Sequence, residues 1–557
     1  MGSEQQSALR THASGASSAA PLEGPETDYV IVGAGSAGCV LANRLSEDNN
    51  VSVVLLEAGP PDSSPWIHLP CGVQRAVGDK RINWGLETEP ESELHNRRIP
   101  VPRGRTLGGC SSINGMVYVR GQPQDYDGWA ASGCDGWSWN EVLPYFKRCE
   151  HNDRGADAFH GTDGPLRVST VRDRRKLALS FIAAAAACGI PPTEDFNGPN
   201  QEGAGFFQYT GWRGRRSSAA VAYLRPAQRR RNLQIETSVR AMSIHFTGRR
   251  ADGVEYLKEG KKLLVRARRE VILAAGTIHS PQLLLLSGIG PKEQLDRFGI
   301  PVRVDCASVG KNLQDHLQAR LLYKATEPVT LNDISRSITR KFLEGTRYLV
   351  TRGGLLAEPP IKAGLFVRSS PDLDRPDIQF HLLEFSSDGP GKPLHSFPGF
   401  FLAACFLRPE SRGEVFLRSA DPLEPPSIVH NFLTSKVDCD RMVTGAKLAR
   451  RIARQAPLKE LILQELQPGP SLVDDYDLLE WVRANAVTVF HPVGTCRMGS
   501  DDQAVVDPQL RVRDVKGLRI VDGSVIPTQV SGNTNAPILM IAEKAADMIR
   551  REARKID

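Results

Sequence analysis

The chain has 557 residues, 40% of them hydrophobic, enough to build a large core shared by more than one layered unit. Seventy lysines and arginines against 64 acids leave a formal charge of +6, so near to balance that a nucleic-acid partner is not indicated. Ten scattered cysteines include no Cys-x-x-Cys pair, which fits neither a disulfide scaffold nor a zinc site and suits a reducing, cytoplasmic compartment, and no window approaches the roughly 18–20 apolar residues of a membrane span.

Residues 1–26 are rich in Ser, Ala and Gly without periodicity, which predicts a disordered tail. The run Tyr29-Val30-Ile31-Val32 then enters Gly33-Ala34-Gly35-Ser36-Ala37-Gly38 and continues at helical spacing to Leu45, so it reads as strand, tight turn and helix. Gly33 permits the turn, Gly35 lets backbone approach a pyrophosphate at the helix N-terminus, and Gly38 lets helix pack on strand. A second strand, 51–56, ends in Glu57, nineteen residues beyond Gly38, about the spacing at which a carboxylate meets a ribose hydroxyl. Together these predict a dinucleotide site. The polar stretch to Arg103 suits a loop over the ligand, and Gly104 to Tyr118 brings a second glycine-rich run, with Gly108, Gly109, Ser112, Asn114 and Gly115.

Residues 137–149 place Val142, Leu143, Tyr145 and Phe146 at helical spacing. Phe206, Phe207, Tyr209 and Trp212, with the apolar stretch Phe397 to Phe406, read either as core or as the lining of an apolar pocket. Leu233 to Thr237, Ala241 to Phe246 and Gly253 to Leu257 alternate like antiparallel strands. Arg269 to Gly276 is a buried strand ending in glycine, and Ser280 to Gly288 a helix with Pro281 in its first turn, a repeat of the opening architecture that would extend the same parallel sheet. Residues 321–484 suit a second, largely antiparallel domain. The last seventy residues return to glycine-rich wording around His491, Asp522-Gly523 and Asn533-Thr534-Asn535, followed by an apolar helix from Ile538 to Ile549, which suggests a chain end folded back on its start.

These runs together resemble the glucose-methanol-choline (GMC) oxidoreductases over residues 27–552, and within them the bacterial choline and aliphatic alcohol dehydrogenases. Gly104 to Tyr118 is similar to the family's first signature, with Cys110 a mild departure, and Gly276-Thr277-Ile278-His279-Ser280-Pro281 through Ser287-Gly288-Ile289-Gly290 to its second. The resemblance implies an α/β fold of two domains: a discontinuous Rossmann-like FAD domain (27–160, 215–320 and 485–557) and a substrate domain on a largely antiparallel sheet (161–214 and 321–484). It implies FAD contacts from Gly33, Gly35, Ser36, Ala37, Gly38, Glu57, Ala58, Arg105, Gly108, Gly109, Ser112, Asn114, Gly115, Met116, Val117, Val239, Ala275, Gly276, Asp522, Gly523, Asn535 and Pro537. Ile113 stands where some relatives carry the histidine that bonds flavin covalently, so non-covalent FAD is expected.

The resemblance further makes His491 the catalytic base and Asn533 its partner in oxidising a primary alcohol, with electrons passed to a quinone or other acceptor. Alternatives are an oxidase that turns O2 into H2O2, or a photodecarboxylase or hydroxynitrile lyase branch; Leu407, where the photodecarboxylases have cysteine, speaks against the former. His279 and His316 read as structural. Lys362 stands where choline-handling relatives tend to carry a carboxylate, which disfavours a quaternary ammonium substrate. A quinone-linked enzyme without a span leaves room for peripheral contact with the inner membrane.

Overall fold

The computed structural model describes residues 22–389 and 391–556. Most of the expected tail, residues 1–21, lies outside the described residues, whereas Leu22–Val32 forms one strand, so residues 22–26 belong to the first sheet rather than to a tail.

The opening motif folds as its residues require. Gly33 turns with φ +100°, and a Cβ on Gly38 would stand 1.8 Å from the Gly33 carbonyl oxygen, so only glycine lets the Ser36–Leu45 helix come down on its strand. Leu22–Val32 lies parallel to Val53–Leu56 on one side and to Lys261–Leu273 on the other. Leu233–Glu236 continues the sheet beyond Val53–Leu56, also in parallel. This corrects the antiparallel reading: its alternation reflects one exposed face at a sheet edge, and alternation says nothing of strand direction. Arg240–Thr247 and Arg250–Lys258 form the expected antiparallel meander against Lys261–Leu273, and Leu518–Ile520 pairs in parallel with the last three residues of that strand.

The second helix starts earlier than expected. It spans Gly276–Leu286, with Pro281 inside it, because the Asp522 carboxylate accepts the Gly276 N–H at 2.8 Å and the Ser280 hydroxyl at 2.6 Å and so caps a helix 246 positions away in sequence. The chain end does return to its start: helix Asn535–Ile556 packs on Ser36–Leu45, Ser36 Oγ donates to Asn535 Oδ1 at 2.8 Å, and Arg44 grips the buried Glu543 carboxylate through two nitrogens.

A second sheet is antiparallel throughout, in the order Ile462–Gln467, Leu317–Ala325, Gly399–Phe406, Ile378–Leu383, Ile361–Val367 and Gly203–Phe206, with Val487–Thr488 beside Leu317–Ala325. Its far face packs on helices Lys176–Ala187 and Lys436–Ala453, and its near face carries Gln318, Arg320 and His381.

Candidate active site

A cavity of about 330 Å3 is walled by both sheets: the C-terminal ends of the parallel strands at Val32, Leu56 and Ala274, and the polar face of the antiparallel sheet. The carboxyl ends of parallel strands are where open α/β sheets bind ligands. Gly33, Gly35, Ser36, Ala37, Glu57, Ala58, Gly109, Asn114, Gly115, Met116, Val117, Val239, Ala275, Gly276, His491, Asp522, Gly523, Asn533 and Asn535 all line it. Gly38, Gly108, Ser112 and Pro537 do not; they shape the wall from behind, Gly108 through its N–H to the Ala34 carbonyl and Ser112 through its hydroxyl to the Leu107 carbonyl. Arg105 faces an adjoining cleft with Trp84 and Arg240.

The donors and acceptors in this wall suit a dinucleotide. Glu57 is buried and accepts one backbone N–H on each carboxylate oxygen, from Ala34 and Gly59 at 2.8 Å, and each oxygen keeps a lone pair for a ligand hydroxyl. Burial pushes its carboxyl up to about 7. Gly276 turns with φ +83°, and a Cβ placed there meets nothing within 4 Å, so bare backbone borders open space. A Cβ on Gly109 would stand 2.7 Å from Gly35 Cα, so the two glycine runs meet edge to edge. Asn114 is held by Arg216, whose guanidinium donates to Asn114 Oδ1 at 2.7 Å and to the Ile67 carbonyl at 2.8 Å. Arg216 is a supporting residue that no local pattern announces.

At the other end of the cavity, His491 Nε2 lies 3.1 Å from Asn533 Nδ2. The tautomer follows from a chain of partners. The Leu407 carbonyl only accepts, so His316 Nε2, 2.9 Å away, donates to it. His316 Nδ1 is then an acceptor, and His491 Nδ1, at 3.1 Å, must donate. That leaves His491 Nε2 unprotonated toward Asn533 and the cavity. Burial, with His316 and His381 nearby, holds His491 well below the ordinary histidine value, so the ring is a neutral base. Its backbone is fixed by Asp315, which accepts the His491 N–H at 2.8 Å and the Thr488 hydroxyl. Gln529 donates to the His491 carbonyl at 2.8 Å. His316 therefore corrects its structural reading: it faces the base and sets its proton. His279 lies against Trp84, ring centroids 4.4 Å apart, and burial takes it down to about 3.

Three of the aromatic residues weighed as pocket lining are core: Phe206, Phe207 and Tyr209 are buried in the packing of the second sheet, while Trp212 is half-buried, edge-on to His151 and beneath the Arg167 guanidinium, and none of the four lines the cavity. The apolar lining beyond His491 is instead Ile361, Leu383 and Phe385, next to Gln318, Arg320 and His381. Lys362, one residue from Ile361, points away into an ion-paired cluster with Asp173 at 3.0 Å and Glu358 at 3.4 Å. It adds no charge to the lining.

Comparison with known proteins agrees with this geometry. Models described as GMC oxidoreductase match residues 27–318 and 409–542. An alcohol dehydrogenase [acceptor] of Pseudomonas putida is 43% identical over 533 residues, covering 95% of this chain and 96% of that one. The mitochondrial choline dehydrogenase of Homo sapiens is 44% identical, covering 94% and 90%. Among solved structures, pyridoxine 4-oxidase from Mesorbium loti superposes with a TM-score of 0.86 at 31% identity, covering 94% of this chain and 99% of that one.

Proposed function

The chain belongs to the GMC oxidoreductases, and from that premise we propose that it binds FAD non-covalently in this cavity and oxidises a primary alcohol to an aldehyde, passing the electrons to a quinone or another carrier. The observation that carries the reading is the His491–Asn533 pair, 3.1 Å apart, on a wall shared with the three glycine signatures. FAD, when bound, supplies the two-electron acceptor for the carbinol hydride.

The protein's own part is proton transfer and orientation. His491 Nε2 takes the hydroxyl proton, because its other nitrogen already carries one. The Asn533 amide, 3.1 Å from Nε2, gives up that contact once Nε2 is protonated, and its N–H and the new Nε2–H can then both donate to the developing alkoxide. Gln379 Nε2 donates to Asn533 Oδ1 at 3.4 Å and keeps the amide nitrogen turned to the base. Glu57, Gly35 and Gly276 would hold the adenosine and diphosphate side, and Gly109, Asn114 and Gly115 the flavin side. We divide the chain accordingly into an FAD unit of 27–160, 215–320 and 485–557 and a substrate unit of 161–214 and 321–484.

Anaerobic addition of primary alcohols to the purified yellow protein should bleach its visible band. His491→Ala should keep the band and slow bleaching about 10²- to 10⁴-fold. Parent-rate bleaching by that variant would overturn the assignment of the base. Peroxide yield in air against quinone reduction separates the oxidase alternative.

A second part of the reading is peripheral contact between a cytoplasmic chain and the inner membrane. Among the described residues no helix is long and apolar enough to cross a bilayer. Helix Ile338–Thr351 buries none of its residues, and Ile338, Phe342, Leu343, Leu349 and Val350 are 60–84% exposed. Helical spacing puts these on one outward arc, flanked by Arg340 and Arg347 on one side and Lys341 on the other. Glu344 and Tyr348 face the protein, accepting the Leu355 N–H and donating to the Gly214 carbonyl. An apolar face with cationic borders matches an anionic lipid surface. Sedimentation with phosphatidylglycerol vesicles should carry the protein down, phosphatidylcholine alone should not, and Phe342→Asp should abolish it; protein left in the supernatant with both lipids refutes this part.

A further inference from the structure

The register of the second sheet lays the side chains of its near face in rows, from which Gln318, Arg320, His381 and Leu383 reach the cavity. Gln318, Cys405 and Gln379 stand opposite one another across three strands; Arg320, Ala403 and His381 form the next row on the same face, and Leu322, Phe401 and Leu383 the one after. Same-face rows are two residues, about 7 Å, apart along the strands. The first row is tied to the catalytic pair through Gln379 and Asn533. The third is apolar. In the second row Ala403 is too short to fill the space between its neighbours, so Arg320 and His381 both border the cavity.

Arg320 is anchored at its back and open at its front. Its Nε donates to Gln318 Oε1 at 2.8 Å, and the Gln318 amide nitrogen is in turn engaged with His381 Nδ1 at 3.2 Å. Among the described residues no carboxylate lies within ion-pairing distance of this guanidinium, and the two carboxylates in the cavity wall, Glu57 and Asp522, are committed to backbone donors. The other cations of the lining are engaged: Arg103 donates to the Phe490 carbonyl at 2.7 Å, and Arg240 donates to the Pro422 carbonyl and lies over the Trp84 ring. Burial draws Arg320 down to about 10, which leaves it charged at neutral pH. His381, taken down to about 3 by burial and by Arg320, adds no second charge. A desolvated cation without an anion is costly, and the missing partner is a ligand.

We infer that Arg320 is a specificity-determining residue that receives an anionic group of the substrate, so that the alcohols this site prefers are hydroxy acids whose carboxylate lies one row, about 6–8 Å, from the carbinol carbon. This rests on the alcohol-oxidising reading of His491 and narrows its substrate class. Among the described residues neither guanidinium NH2 group has a hydrogen-bond partner, so both can meet a carboxylate side by side, a geometry lysine reproduces only as a point charge.

The test compares 4-(hydroxymethyl)benzoate with 4-(hydroxymethyl)benzamide, equal in shape and different in charge, in the FAD-loaded enzyme. Wild type should favour the acid in kcat/KM by about a hundredfold. Arg320→Gln should remove that preference and Arg320→Lys should keep part of it. Binding of 4-methylbenzoate, which has no hydroxyl to oxidise, measured by calorimetry, should weaken in parallel in Arg320→Gln. Equal use of acid and amide by wild type, or an Arg320→Gln protein with the acid preference and the 4-methylbenzoate affinity intact, overturns the inference. If the amide is oxidised through His491 while the acid is not, the inference fails and the alcohol-oxidising reading stands; if neither bleaches the flavin, both fail.

Discussion

Replacing His316 with leucine tests whether the proton on His491 is placed by its neighbour. In the native arrangement His491 Nδ1–H donates to His316 Nδ1 at 3.1 Å, and both rings are buried. With leucine at 316 the donor has no acceptor, and a buried unsatisfied donor costs about 1–3 kcal/mol. The ring escapes that cost by moving its proton to Nε2, which is the nitrogen that must be free to accept. The reactive tautomer is therefore disfavoured by up to the same amount, and kcat/KM falls about 5- to 150-fold. His316→Asn separates the effect from packing, because an amide oxygen stands close to where Nδ1 stood and accepts the same proton, so most of the rate should return. The assay is anaerobic flavin bleaching in stopped flow, on variants whose visible spectrum shows full FAD content. A leucine variant with parental kcat/KM and full FAD, or an asparagine variant no faster than the leucine one, refutes the tautomer argument.

Three further outcomes follow from the same geometry. Gly109→Ala puts a methyl 2.7 Å from Gly35 Cα at a residue with φ +51°, so it should cost about 2 kcal/mol or more in stability and lower the ratio of bound FAD to protein; a variant that purifies with full flavin and an unchanged Tm contradicts the edge-to-edge contact of the two glycine runs. Because burial and His316 hold His491 below the ordinary histidine value, kcat/KM should stay flat from pH 8 down to 6.5 and fall only in more acid solution; an acid limb with its midpoint above pH 6.5 rejects this. His430 is fully buried, and although burial opposes its charge, Asp315 Oδ2 at 3.4 Å and Glu91 hold it up at about 9. A histidine raised in the folded state stabilises fully below its unfolded value near 6.5 and loses that contribution as pH climbs through 9, and a rise from 6.5 to about 9 is worth about 3 kcal/mol. Wild type should therefore lose more Tm between pH 6.5 and 9.5 than His430→Gln, and equal losses count against the ion pair.

What could be read from the chain and what could not divides along a physical line. The cofactor loops were legible because their constraint is local: Gly33 and Gly38 answer to a turn and a helix within six residues of each other, and Glu57 ends the very next strand. His491 was legible for a related reason, since a proline, two glycines and a family wording surround it. The residues that support the lining of this cavity carry no such mark. His316 meets His491 across 175 positions, Arg216 reaches Asn114 across 102, and Asp522 starts a helix 246 residues upstream. Each is a polar residue on an otherwise ordinary strand or turn, and its partner is chosen by register and by how the sheets close, which single-chain periodicity does not encode. The direction of Leu233–Glu236 and the inward faces of Phe206 and Phe207 escaped for the same reason, because alternation tells which side of a strand is buried and not what lies over it. Arg320 is the sharpest case: in sequence it is one basic residue in Leu317–Ala325, and only the row it shares with Ala403 and His381 turns it from a solvated charge into a cation facing the base's cavity.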